Sequence, residues 1–228
     1  MKIKTVLMDV DGTMTVYPQG TIMNQSPKTL LEDLMMDSFS ISREEAWKRV
    51  LACGDVETHC LTEFFPQLKV DGKRYFELLL ADLKKTTIVP EDTIRLFRHL
   101  KERGIPLYTA TTNSRFITLA KLAVCEGLAS YEGCEYITGY FPGCAFRDPE
   151  GKYSASYYSN ILKAGPFEGE YTLMIGDEPI RDGLPARRSG IRYAVNIDRK
   201  AEAPSGWDPD GILHIRSYDE LIPLLEKA

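Results

Sequence analysis

The sequence has 228 residues, of which 43% are hydrophobic and 27% are charged, a composition that argues against disorder and allows a large buried core. Its 33 acidic and 28 basic residues leave a net charge of −5, so nothing electrostatic favours a nucleic acid polymer or an anionic membrane as a partner. No apolar run approaches the roughly 20 residues of a transmembrane helix, and Asp9 interrupts the first segment before a signal-peptide core could form. We therefore expect a cytoplasmic protein.

Short apolar segments alternate with helical patterns along most of the chain. Buried strands are predicted over residues 3–8, 105–111, 171–176, 191–197 and 212–215. Helix-periodic segments cover residues 93–104 and 114–127, begin again at residues 157 and 180, and end the chain over its last dozen residues. Strands that alternate with helices, without hairpin signals, predict an α/β fold with a Rossmann-like parallel sheet and right-handed crossovers.

The segment over residues 15–88 departs from this alternation. It is helix-periodic and rich in Leu, Met and Phe, and Ser42 and Glu45 have the spacing of a helix capping box. We therefore predict an all-helical cap domain, residues 15–88, inserted into an α/β core domain made of residues 1–14 and 89–228.

Acidic residues follow two of the predicted strands. Asp9 and Asp11 follow the first strand, and their spacing places both carboxylates on one side of an extended chain. Asp177 follows the third predicted strand, and Asp182 lies five residues further on. Each motif alone also suits a structural role, as a turn after a strand or as a helix N-cap. Together, carboxylates at neighbouring strand ends repel one another unless a cation lies between them, and an all-oxygen ligand set suits Mg²⁺.

The neutral and basic side chains predicted at the same edge of the sheet have the chemistry that binds a phosphoryl group. Thr111, Thr112 and Asn113 follow the second predicted strand and open a helix, whose N-terminal N–H groups can hold an anion or can simply be capped by these side chains. Lys152 is the candidate cation. Hydroxyls, a helix N-terminus and a lysine complement a phosphoryl group whose charge is spread over its oxygens.

These segments together resemble the four motifs of the haloacid dehalogenase-like (HAD) hydrolase superfamily. The matching segments are DVDGT at 9–13, Thr112-Asn113, Lys152, and GDEPIRD at 176–182. Their order and spacing agree with the family pattern over the whole chain. The third motif departs from it, because Tyr153 follows Lys152 where members of the family often have proline, and Arg147 is the alternative there. Thr111 is likewise the alternative to Thr112 in the second motif.

The resemblance implies a role for each matching residue. Asp9 would be the nucleophile that forms an aspartyl-phosphate, and Asp11 would be the general acid and base. Thr112, with Thr111 in reserve, Asn113 and Lys152 would bind the substrate. Mg²⁺ would be the cofactor, and the implied metal ligands are Asp9, Asp11 through its backbone carbonyl, Asp177 and Asp182, with Glu178 as a supporting residue.

The aspartate at position 11 makes this sequence resemble the phosphatases and phosphomutases of the superfamily. Its dehalogenases lack such an acid, because a halide leaves without a proton. The segment VYPQG after the first motif resembles pyrimidine 5'-nucleotidase-like phosphatases, whose helical cap selects the substrate. Aromatic residues that could stack on a base, or fill the core of the cap, are Tyr17, Phe64, Phe65 and Tyr75. We therefore expect a Mg²⁺-dependent phosphatase of a small phosphorylated metabolite, such as a nucleoside monophosphate. A sugar phosphomutase and a non-catalytic scaffold are the alternatives, and the oligomeric state stays open.

Overall fold

The computed structural model describes residues 1–18, 26–56, 59–142, 152 and 154–226. The chain divides into two compact units. The first, here called the sheet unit, consists of Met1–Val16, Val89–Asn113 and Glu135–Ala228, and the second, the helical unit, consists of Tyr17–Ile88 and Ser114–Cys134. Packing alone defines these units, and the domain boundaries drawn from the sequence stay a prediction.

The sheet unit is built on a seven-stranded sheet in the order β3-β2-β1-β4-β5-β7-β6. The strands are β1 (Thr5–Met8), β2 (Leu107–Thr111), β3 (Gly139–Pro142), β4 (Thr172–Gly176), β5 (Tyr193–Ile197), β6 (Gly206–Trp207) and β7 (Ile212–Ile215). All neighbours pair in parallel except β6, which pairs antiparallel with β7. The predicted parallel α/β core is thereby confirmed.

Two edge strands, β3 and β6, have no counterpart among the predicted strands. β6 has only two residues and both are exposed, so it carries no apolar signal. β3 contains a glycine and a proline, residues that are depleted in strands and tolerated at sheet edges. Both strands exist because a longer neighbour offers them backbone hydrogen bonds.

The α-helices in the described part of the chain, in order, are α1 (Pro27–Phe39), α2 (Arg43–Cys53), α3 (Phe65–Leu68), α4 (Gly72–Thr86), α5 (Glu91–Glu102), α6 (Arg115–Leu122), α7 (Ala155–Ala164), α8 (Leu184–Arg188) and α9 (Tyr218–Glu226). The segment predicted to be helical from residue 180 is helical, but it is interrupted, because a π-helical turn, Pro179–Gly183, precedes a short α8. Gly183 and Pro185 are poor residues for a helix interior, which explains the interruption. No helix among these described residues is both long and apolar enough to cross a membrane.

The strand order reverses between β1 and β4, which is the feature that positions the site. β1 pairs with β2 on one side and with β4 on the other. Leu7 of β1 and Met174 of β4 are fully buried and pack with Tyr157 of α7, and both central strands are buried over their whole length. In open parallel sheets the crevice at such a reversal, outside the carboxyl ends of the strands, is where ligands bind.

Helix caps in the helical unit follow the sequence closely. Ser42 precedes α2 and its hydroxyl accepts a hydrogen bond from the Glu45 amide at 3.2 Å, so the serine half of the predicted capping box is present. The Glu45 carboxylate itself pairs with Arg49 at 3.0 Å. Asp71 caps α4 in the same manner, by accepting from two amides of its first turn. Each such cap satisfies a backbone donor that the first turn of a helix leaves unpaired.

Aromatic rings hold the helical unit together. Phe65 and Tyr75 pack edge to face with centroids 4.9 Å apart, and both contact the ring of Phe116. Phe64 is also buried, whereas Tyr17 is 36% exposed. Three of the four aromatic residues considered for base stacking therefore fill the core of this unit.

Burial in the helical unit predicts a contrast between two leucines. Leu79 of α4 is 1% exposed and Leu51 of α2 is 51% exposed. We expect Leu79→Ala to lower the free energy of unfolding by about 2–5 kcal/mol, because it leaves a cavity in the core. Leu51→Ala is the control and should cost no more than about 0.5 kcal/mol. Urea denaturation followed by circular dichroism measures both, and equal losses would contradict this packing.

Candidate active site

Three carboxylates converge at the carboxyl ends of β1 and β4. Asp9 directly follows β1, Asp177 directly follows β4, and Asp182 lies in the π-helical turn after it. Each of them offers an oxygen such that the three atoms lie within 4.8 Å of one another, in a group found among the described residues. Asp9 and Asp182 are buried, and Asp177 is half-buried. Two motifs that are far apart in the sequence thus form one acid cluster in space.

Lys152 contacts two of these acids. The ammonium Nζ of Lys152 is 2.8 Å from Asp9 Oδ1 and 2.6 Å from Asp182 Oδ1, and the residue is 5% exposed. Burial alone would lower the pKa of Lys152, but the two carboxylates raise it above its ordinary value, so the side chain stays charged. The alternative candidate, Arg147, lies outside the described residues.

The positive charge of Lys152 does not balance three carboxylates, and the pKa values of Asp9 and Asp177 are both raised. Burial raises the pKa of Asp177 to about 7, and the charges of Asp9 and Asp182 contribute to the same rise. Burial also raises the pKa of Asp9, against the lowering effect of Lys152. A cluster of oxygen donors with excess negative charge fits a hard divalent cation such as Mg²⁺, which would relieve the repulsion.

Two glycines allow the carboxylates to approach the backbone this closely. Gly12 has a φ of 71°, in the left-handed region, and a Cβ at this position would overlap the Asp177 carboxylate. A Cβ at Gly176 would overlap the side chain of Asp182. The hydroxyl of Thr13 donates to Asp177 Oδ1 at 3.3 Å. Asp177 thus faces the turn after β1.

The end of β2 contributes an amide that contacts Asp11. Asn113 Nδ2 donates to Asp11 Oδ2 at 2.8 Å and to Thr111 Oγ1 at 3.1 Å. Thr111 is 1% exposed, whereas the neighbouring Thr112 is exposed. The cap of the next helix is Ser114, whose hydroxyl accepts from a backbone amide of the first turn. The Thr111 hydroxyl therefore has an internal role, and Thr112 is the solvent-exposed residue of the two.

Sequence reasoning missed a buried tyrosine behind the acids. The hydroxyl of Tyr158, on α7, lies 3.0 Å from the Arg181 carbonyl and 3.2 Å from Asp182 Oδ1. The adjacent Tyr157 hydroxyl donates to the Phe141 carbonyl at 3.2 Å. In the sequence these two tyrosines are only part of an apolar helical pattern. The direction of a hydroxyl depends on packing, so no local signal could have found this contact.

The fold and the site together are those of an enzyme-like protein. Its α/β core carries an acid cluster and a lysine at the point where the strand order of the parallel sheet reverses. The family model for haloacid dehalogenase-like hydrolases matches residues 3–190. The chain therefore belongs to this family, as its motifs led us to expect. No curated protein sequence matches it significantly.

Solved structures share the fold over nearly the whole chain. A HAD phosphatase from Thermococcus onnurineus is 22% identical with a TM-score of 0.58, and the match covers 98% of each chain. The putative HAD-hydrolase YfnB from Bacillus subtilis, bound to magnesium, is 16% identical with a TM-score of 0.55 and 99% coverage of each chain. A mutant of CbbY from Rhodobacter sphaeroides, in complex with xylulose-(1,5)bisphosphate, is 18% identical with a TM-score of 0.52 and 96% coverage of each chain. At these identities the likeness establishes the fold alone.

The closeness of Gly12 to Asp177 predicts a large cost for an added methyl group. We expect Gly12→Ala to lower the free energy of unfolding by about 1–3 kcal/mol, because alanine is strained at positive φ and would displace the carboxylate. Gly206 lies in the same unit and has open space around its Cα, so Gly206→Ala is the control. Urea denaturation of both variants measures the difference, and equal effects would contradict the tight contact at Gly12.

The raised pKa of Asp177 predicts a pH dependence of stability in metal-free buffer. Because the pKa of Asp177 is about 7 in the folded protein and about 4 in an unfolded chain, the folded protein binds more protons between these values. The free energy of unfolding should therefore fall as the pH rises from about 4 to 7. Denaturation in the presence of a chelator measures this slope. Asp177→Asn keeps the acceptor oxygen and should flatten the slope, and an unchanged slope in that variant would refute the assignment.

Proposed function

We propose that this protein is a Mg²⁺-dependent phosphatase that hydrolyses a small phosphorylated metabolite through an aspartyl-phosphate intermediate. The observation that carries the proposal is the buried Asp9 carboxylate, held 2.8 Å from the Lys152 ammonium and clustered with two further carboxylates. Membership of the HAD-like hydrolase family supports the same chemistry. The net charge of −5 favours a small substrate over nucleic acid or a membrane, and a cytoplasmic location is part of the proposal.

The carboxylates of Asp9 and Asp177 and the backbone carbonyl of Asp11 would hold Mg²⁺, with Asp182 beside them. When bound, the ion would reduce the repulsion between an anionic nucleophile and an anionic phosphoryl group. The binding of magnesium by a protein of the same fold, YfnB, is consistent with this assignment.

The chain's own residues account for the nucleophilic step. Asp9 would attack phosphorus, so that a bond forms between its carboxylate oxygen and phosphorus while the bond from phosphorus to the substrate oxygen breaks. Lys152 favours the ionised form of Asp9 and would also neutralise phosphoryl oxygens. The hydroxyl of Thr112, an exposed residue, would bind another phosphoryl oxygen, with Asn113 beside it.

Asp11 would move the protons. In the first step its carboxylic acid gives a proton to the departing oxygen, and in the second step its carboxylate takes a proton from the water that attacks phosphorus. Inorganic phosphate then leaves and Asp9 is regenerated. The Asn113 amide, 2.8 Å from Asp11 Oδ2, restricts the orientation of this carboxyl group, which general acid–base catalysis requires.

The natural substrate is assigned only as a class. Nucleoside monophosphates are the first compounds to examine, because the segment after the first motif resembles that of pyrimidine 5'-nucleotidase-like phosphatases. A panel of phosphorylated metabolites, assayed for phosphate release, would identify the preferred member. With a sugar 1-phosphate, free phosphate supports a phosphatase, whereas an isomeric sugar phosphate would show a phosphomutase.

Replacement of the nucleophile tests the mechanism. Asp9→Asn should lower kcat with p-nitrophenyl phosphate and Mg²⁺ by a factor on the order of 10⁴ or more, because an amide cannot form the acyl phosphate. Asp210 is an exposed acid of the same unit, and Asp210→Asn should retain full activity. Circular dichroism checks that both variants fold.

Two results would overturn parts of this proposal. An Asp9→Asn variant that retains most of its activity would exclude Asp9 as the nucleophile. A protein whose melting temperature does not rise with Mg²⁺ plus vanadate or beryllofluoride would be a scaffold without a working phosphoryl site.

A further inference from the structure

The turn that follows β1 is held from its far side by an arginine that no motif includes. Arg199 lies two residues after β5, and its side chain is 20% exposed. Its guanidinium donates from Nη1 to the Gly12 carbonyl at 3.1 Å and from Nη2 to the Thr13 carbonyl at 3.3 Å. One planar group thus binds two successive carbonyls of the turn, a geometry that suits a guanidinium fork.

A buried acid anchors this arginine. Asp92, in the first turn of α5, is 8% exposed, and its Oδ1 lies 3.3 Å from Arg199 Nη2. Its other oxygen accepts from the Ser217 hydroxyl at 3.1 Å and from the Tyr218 amide at 3.0 Å, at the start of α9. The hydroxyl of Thr93 also accepts from Arg199 Nη2, at 3.2 Å. The guanidinium is therefore fixed against two helices at once.

Tyr218 completes the support. It is fully buried, its hydroxyl donates to the Thr13 carbonyl at 3.1 Å, and the Arg199 guanidinium lies 5.0 Å from the centre of its ring. The Thr13 carbonyl thus accepts from two side chains on two different elements. Buried donors arranged in this manner restrict the turn to one conformation.

The conformation of this turn determines the positions of Asp11 and Asp177. Gly12 leaves the space that the Asp177 carboxylate fills, and the Thr13 hydroxyl donates to that same carboxylate. Asp11 immediately precedes them. A shift of the turn by a fraction of an ångström would move Asp11, the proposed general acid. It would also disturb Asp177, a proposed metal ligand that contacts the turn.

We propose that Arg199 is a positioning residue for the acid cluster: it holds the Gly12 and Thr13 carbonyls and thereby fixes Asp11 and Asp177 relative to Asp9. The inference rests on the proposed function, because it takes these three acids as the reacting and metal-binding groups. Arg199 does not touch the substrate in this account. It acts through the backbone of the turn.

An ion pair between α5 and α9, the two helices that hold Arg199, provides the control. Arg95 of α5 pairs with Asp219 of α9 through two hydrogen bonds, at 2.9 and 2.7 Å. This pair includes no residue of the turn. Arg95→Met therefore removes an arginine–aspartate ion pair from the same two helices without removing support from the acid cluster.

The test compares Arg199→Met, Arg199→Lys and Tyr218→Phe with Arg95→Met, at a temperature well below the melting temperature of each. We expect Arg199→Met to lower kcat with p-nitrophenyl phosphate by a factor on the order of 10², while KM changes much less, because misplaced catalytic groups impair the reaction more than binding. Arg199→Lys should recover part of this loss, since an ammonium replaces the charge but not the fork. Tyr218→Phe, which preserves the ring, should lower kcat by about tenfold.

Mg²⁺ binding gives a readout that does not depend on turnover. The Mg²⁺ concentration that gives half of the maximal rise in melting temperature should increase by about tenfold in Arg199→Met and stay unchanged in Arg95→Met. A merely structural role predicts lower melting temperatures with normal kcat and normal Mg²⁺ binding in the folded Arg199 variants, and that result would overturn the inference.

The outcomes separate this inference from the proposed function. If the unsubstituted protein binds Mg²⁺ but releases no phosphate from any substrate, the proposed activity fails, while the Mg²⁺ titrations of the variants still decide the role of Arg199. If the unsubstituted protein shows no Mg²⁺-dependent stabilisation, the metal site fails and the positioning role fails with it. If Arg199→Met does not fold, the same measurements on Tyr218→Phe, which loses a single hydroxyl, decide whether support of the turn positions the acids.

Discussion

The confinement of three carboxylates beside one ammonium group is the constraint on which the site depends. Asp9, Asp177 and Asp182 present oxygens within 4.8 Å of one another, and Lys152 contacts two of them. In a partly desolvated crevice this arrangement costs free energy, as the raised pKa of Asp177 indicates. Such an unfavourable arrangement persists when the surrounding structure allows the side chains no arrangement of lower free energy. Much of the surrounding structure can be understood as the means by which the acids are held in place.

The support comes from several directions. Behind the cluster, the hydroxyl of Tyr158 lies beside Asp182. Tyr158 belongs to α7, which is itself buried against the sheet. Beside it, Asn113 at the end of β2 donates to Asp11. On the far side of the turn after β1, Arg199 and Tyr218 hold successive carbonyls. Each contact is of ordinary strength, and their combined effect is to leave the carboxyl groups little freedom to separate.

The reversal of strand order explains why the chain can collect these groups at all. Asp9, Asp177 and Asn113 follow β1, β4 and β2, which are neighbours in the sheet although up to 168 residues separate them in the sequence (177 minus 9). Parallel pairing brings the carboxyl ends of all three strands to one edge. The apolar strands therefore do more than form a core: their register sets the distances between the polar residues that follow them. The helical unit, for its part, has its own aromatic core around Phe116.

The sequence by itself determined the parallel α/β core, the helical character of the segment after β1, the Ser42 cap, and the residues that gather at the sheet edge. These features rest on local periodicity, on turn and cap chemistry, and on motifs of fixed spacing, all of which are visible in a linear chain. Only the tertiary structure decided that Thr111 is buried while Thr112 is exposed, that the segment from residue 179 begins with a π-helical turn, and that β6 exists. The contacts of Lys152, Tyr158 and Arg199 also belong to this second group. Their partners lie between 19 (218 minus 199) and 187 residues away in the sequence, and the contacts depend on the direction of single side chains, so a local pattern contains no information about them.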